Sequence, residues 1–167
     1  MPFDANAYGP DVASIISESG MMPLLRRSGL PAPSDSRITR VQIPESARAG
    51  LYLYSGSWDQ AHDIAQTIPT ADGSYWHAIV HRQEPDRGNA AYWFRQVGEH
   101  PIFPALAKLA AVIEPEFGPN WNPFAFIDYC EKATATPGTQ QEPRAVKIQQ
   151  IEWELLFDYC VRSATRG

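Results

Sequence analysis

The chain has 167 residues, 44% apolar and 20% charged, with fifteen prolines, eleven glycines and two cysteines. Fourteen lysines and arginines against nineteen aspartates and glutamates leave a net charge of −5, the wrong sign for a phosphate-backbone binder unless the basic residues cluster on one face. A single domain of this length hides roughly 68–70% of its unfolded surface, so no disulfide or metal is needed to hold the fold, and any bound ion would be functional.

Met1-Pro2-Phe3-Asp4 lacks the basic start and apolar core of a secretory signal, and no later run is long enough to span a bilayer, so a cytoplasmic location without membrane contact is expected. Residues 1–44 are punctuated by Gly9, Pro10, Gly20, Pro23, Gly29, Pro31, Pro33 and Pro44. This spacing leaves room for one short helix over 11–18 in an otherwise extended N-terminal arm. Leu24, Leu25, Leu30, Val41 and Ile43 imply that the arm packs on the body. Residues 37–43 alternate enough for a short strand.

Residues 45–167 read as one all-α domain. A helix over 45–54 ends at Gly56, and Ser57-Trp58-Asp59-Gln60 has the form of a capping box opening the next, with Trp58, Ala61, Ile64, Ala65 and Ile68 on one side. A third helix runs from Asp72 to Glu84 and stops before Pro85. A fourth, closed by Gly98, carries Ala90, Trp93, Phe94 and Val97 as its apolar stripe. A helix follows over 100–113. Asn122-Pro123 marks the start of one over 122–134, and the longest covers 143–164. That last helix is apolar on nearly every side, which places it in the middle. Cys130 and Cys160 fit neither a redox pair nor a zinc knuckle; they read as small core residues, with facing positions across a helix pair as the sharper alternative.

A shift of 29 residues lays Ala49 on Ala78, Leu51 on Val80, Ala61 on Ala90 and Ile64 on Trp93. The two hairpins so aligned resemble tetratricopeptide-type repeats, which implies stacked antiparallel helical hairpins around the long buried C-terminal helix and a short groove for a peptide or partner protein. Gly73-Ser74-Tyr75-Trp76-His77-Ala78-Ile79-Val80-His81-Arg82, with Asn89-Ala90-Ala91-Tyr92-Trp93-Phe94-Arg95-Gln96-Val97-Gly98-Glu99-His100-Pro101, is similar to the signature of a family of hypothetical proteins of bacteria and fungi. That family has no established activity; the resemblance implies a stand-alone protein and carries over no catalytic role.

The chemistry concentrates in the window 58–100, which holds all four histidines: His62, His77, His81 and His100. His77, His81 and Glu84 stand at i, i+4 and i+7, one face of a helix, opposite Tyr75, Trp76, Ile79 and Val80. Two histidines one turn apart chelate an ion, and Glu84, His62 or His100 would complete a site for a divalent transition metal, zinc or iron. No glutamate follows His77, which disfavours a zinc protease. The competing reading is a plain solvated face. A third reading uses Tyr75, Arg82, Tyr92 and Arg95 to bind a small molecule, Arg82 and Arg95 anchoring an anion while a histidine moves a proton. Nucleophile-elbow, phosphate-loop and dinucleotide motifs are missing. The expected function is a small-molecule or protein binding module, with a metal-dependent or acid–base enzyme as alternatives. Five tryptophans leave room for a homodimer surface.

Overall fold

The computed structural model describes residues 2–26 and 36–166, and all regular structure among them is helical. Nine α-helices follow in order: α1 (Pro10–Ser19), α2 (Ser36–Arg40), α3 (Glu45–Tyr54), α4 (Trp58–Ala65), α5 (Ala71–Gln83), α6 (Arg87–Val97), α7 (Phe103–Ile113), α8 (Pro123–Ala135) and α9 (Gln141–Ala164). Single 3-10 turns at Ala5–Tyr8 and Pro115–Phe117 precede α1 and follow α7. No helix among the described residues is long and apolar enough to cross a membrane.

The capping chemistry accounts for several boundaries. Asn122 accepts from the backbone N–H groups of Phe124 and Ala125, with Pro123 in the first helical position, so α8 starts where the sequence places it. Asp86 caps α6 by accepting from the Asn89 N–H, and Gly98 ends that helix at φ 64°, a left-handed conformation that glycine adopts without steric cost. Ser57 does not form the expected capping box. Its hydroxyl lies 3.2 Å from that of Ser55, which donates to it, and its own N–H bonds to the Tyr52 carbonyl, so the chain is held by the turn.

Residues 37–43 are not a strand. Ser36–Arg40 coil into α2, and the Arg48 guanidinium donates to the carbonyls of Ile38, Val41 and Ile43. A cation at the end of a helix satisfies carbonyls that have no partner within it, and here it overrides the alternating pattern. The rest of the arm packs as expected where it is described: Met22, Leu24 and Val41 are buried, although Leu25 is exposed and Leu30 lies outside the described residues. Gln149 of α9 donates to the carbonyls of Met22 and Pro23, and the Arg26 N–H donates to the Gln83 carbonyl, fastening the arm to two helices of the body.

Consecutive helices are neighbours: α3 packs on α4, α4 on α5 and α5 on α6, while α9 lies against α3, α7 and α8. α9 is therefore central, as its apolar girth implies. α5 is more completely enclosed than its sequence suggests, since every residue from Tyr75 to Gln83 is buried, including His77, His81, Arg82 and Gln83. The face that reads as solvated is covered by α4 and α6. α3 reaches α5 closely because Gly50 has no side chain: a Cβ there would stand 2.5 Å from Trp76 Cζ2. The same approach lets the Trp153 indole donate to the Gly50 carbonyl at 2.8 Å.

Cys130 and Cys160 are both buried and free. Cys130 lies in the electrostatic neighbourhood of Arg82 and Glu152, and Cys160 in that of Trp76 and Asp72. Burial pushes both thiols up to about 12, so neither is a ready thiolate near neutral pH.

Candidate metal centre

Three of the four histidines meet where α4 crosses α5. α5 is well specified: Asp72 lies in its first turn, His81 and Arg82 in its last, as the helix dipole favours, and its i, i+4 spacing stacks the His77 and His81 rings at 4.9 Å and 20°. α4 brings His62 across them. Its register is held by Trp58, whose indole N–H donates to the Val80 carbonyl at 3.1 Å. That carbonyl is free because the Glu84 N–H, its helical partner, bonds to the His81 carbonyl at the end of α5.

His62 Nε2 and His77 Nε2 are 3.1 Å apart, and the His62 ring stands nearly perpendicular to those of His77 and His81 at 4.7 and 5.3 Å. One nitrogen from each of the three rings lies within 4.8 Å of the others. A tetrahedral ion with bonds of 2.0–2.1 Å holds its donors roughly 3.3 Å apart, so the His62–His77 pair already has the required spacing and His81 has a short distance to close. His77 is buried, and its pKa is lowered from 6.5 to about 4, first by desolvation and then by the charges of His62 and His81. It is a neutral ring with a lone pair at physiological pH, the form in which histidine ligates metals.

The surroundings are aromatic on the inside and acidic at the rim. Trp93 of α6 stacks on His77 at 4.0 Å and Trp58 stacks on His62 at 5.7 Å, while Arg26 lies 4.0 Å over the Trp58 ring and 3.6 Å from Asp59. Asp59 and Asp63 are exposed, with Asp63 Oδ1 3.7 Å from His62 Nδ1. Trp93 was expected in the core. It sits instead at the border of the stripe formed by Ala90, Phe94 and Val97, half-buried as a wall of the centre, and its place one position before Phe94 is the only signal for this.

The remaining predicted residues fall elsewhere. Glu84 Oε2 is 2.9 Å from His81 Nδ1, so it holds a histidine and does not join the three-ring set. His100 is not part of the cluster: its Nε2 donates to Asp72, its Nδ1 accepts from the Ile102 N–H, and both ring nitrogens are thereby satisfied in the core. Tyr75 and Arg82 do not form a ligand pocket with Tyr92 and Arg95. Tyr75 donates to Glu152 Oε1, and Arg82 binds Glu152 through both terminal nitrogens at 3.2 and 2.6 Å, in a buried network extended by Gln149 and Gln83. The cation is thus neutralised inside the protein and no anion can use it. Tyr92 and Arg95 lie on the exposed side of α6, as their positions off the stripe imply.

An all-helical protein with three converging imidazoles is what fold and site together define. Comparison with family models, with curated proteins and with solved structures finds no match in any of the three.

Proposed function

We propose that the protein binds one divalent transition metal ion, of the zinc class, through His62, His77 and His81. The observation that carries this reading is the approach of two imidazole nitrogens to 3.1 Å with a third ring close by, in an aromatic enclosure that keeps one ring neutral. His100 shows how a core histidine is satisfied, with one nitrogen on a carboxylate and the other on a backbone N–H, whereas the Nε2 atoms of His62 and His77 face each other. The rim carboxylates of Asp59 and Asp63 favour a cation over an anion at the entrance. The acid–base and anion-binding reading is weaker, because Arg82 is committed to Glu152. The reading extends to a cytoplasmic location, which two free, buried cysteines support.

Metal analysis of untagged protein tests this. About one equivalent of zinc, cobalt or iron in the wild type and less than a tenth in His77→Ala, with both proteins folded by circular dichroism, is the expected result. Equal metal content in the two proteins, or none in either after incubation with excess ion, would overturn it.

A further inference from the structure

The Glu84–His81 pair says more about the centre than its ligand count. A carboxylate only accepts hydrogen bonds, so the 2.9 Å contact requires His81 Nδ1 to carry the proton. In the neutral ring the lone pair then sits on Nε2, and the ring cannot present Nδ1 to an ion. Glu84 is exposed at the end of α5, and its near neighbour Asp86 accepts at both oxygens from Asn89 as the cap of α6. Glu84 and Asp86 therefore have tasks of their own.

We propose, building on the three-histidine reading above, that Glu84 is a positioning residue and not a ligand, and that the ion held by His62, His77 and His81 keeps a fourth position open to an exchangeable water or small monoanion. Three imidazoles are neutral donors, so they leave the two positive charges of the ion uncompensated. Trp58 and Trp93 wall the centre with low-dielectric rings, which strengthens the pull of that charge on an anionic ligand. A centre closed by four protein donors is structural, and one with three donors and an open position exchanges ligands and activates water. Among the described residues, the group that contains His62 and His77 includes only one further donor residue, His81, which gives the second arrangement. The ligand class that follows is a small oxygen or nitrogen anion that binds the ion directly, of the size of bicarbonate, formate or azide.

Cobalt(II) is the probe, because its visible absorption reports coordination number, with azide as the test anion. The expected result is one equivalent of cobalt with an intense four-coordinate spectrum that shifts on addition of millimolar azide. Glu84→Ala should bind cobalt 10–100-fold more weakly with the azide response intact, and Glu84→Gln, which still accepts from His81, should recover part of the affinity. Nitrogen chemical shifts of metal-free protein should show His81 protonated at Nδ1, a measurement that needs no ion. Cobalt binding without an azide shift in the wild type, or a shift that appears only in Glu84→Ala, would mean that Glu84 fills the fourth position and overturns the proposal while leaving the metal site standing. A His81 ring protonated at Nε2 would overturn the positioning role, and failure to bind cobalt would overturn the three-histidine reading together with what is built on it.

Discussion

At the scale of single residues, His77 and Gly50 show how burial changes what a side chain does. His77 titrates near 4 in the folded protein and near 6.5 when unfolded, so the unfolded chain takes up a proton first as the pH falls. Stability is therefore full above about pH 6.5, declines as the pH drops toward 4, and levels off below that. Urea denaturation of metal-free protein between pH 7 and 4.5 should show this decline, and His77→Gln should flatten it; parallel curves would exclude the ring as its source. Gly50 sets a helix propensity of about 1 kcal/mol in favour of alanine against a Cβ placed 2.5 Å from an indole that is fully enclosed. Overpacking costs typically 1–3 kcal/mol, so the clash wins. Gly50→Ala should lower the melting temperature despite the better helix former, and a rise would show that α3 and α5 slide apart freely.

At the scale of elements, α5 and α9 are tied by ions where most helix pairs are tied by apolar contact. Arg82 and Glu152 are both buried; Tyr75 donates to Glu152 and Gln149 accepts from Arg82, while Arg82 Nε is buried without a partner. Removing one partner strands a charge in the interior, with a cost of about 3–5 kcal/mol, whereas replacing both by apolar residues of similar volume is close to neutral. Glu152→Ala should therefore unfold at markedly lower denaturant than Arg82→Met/Glu152→Leu, in which the pair is replaced as a unit. The reverse order would show the charge pair to be the main source of cohesion between these helices. Helix positions were legible here to within a few residues, because caps such as Asn122-Pro123 and breakers such as Gly98 act locally. The α2 segment was not, since what coils it is Arg48, eight residues beyond its end. The readings of the polar face of the third helix stay open in the sequence for a similar reason: periodicity separates polar from apolar sides, but it does not register that α4 and α6 cover the polar one.

For the whole molecule, the order of packing explains why His62, His77 and His81 converge at the α4–α5 crossing, while the second group of donors in the histidine-rich window, His81, Glu84 and Asp86, lies at the C-terminal end of α5. His62 and His77 are fifteen residues apart along the chain, and only the turn between α4 and α5 folds one onto the other. Binding an ion there links two helices and stabilises the fold by mass action: with free zinc at 100 times its dissociation constant the gain is about 2.7 kcal/mol. A zinc titration followed by thermal unfolding should raise the midpoint in the wild type and leave His62→Ala, which lacks the α4 donor, nearly unmoved. An equal rise in both would place the ion elsewhere.

The amino-acid sequence alone determined the helical class, the caps and breaks, the enclosure of the last helix and the concentration of imidazoles in one window, because each depends on neighbours within a turn or two. Tertiary structure alone decided which of those imidazoles converge, that His100 belongs to Asp72, that Arg82 belongs to Glu152, and that Glu84 serves His81. Such pairings are made between helices, and the distance between two side chains on different helices depends on how those helices cross, which periodicity along one chain does not encode.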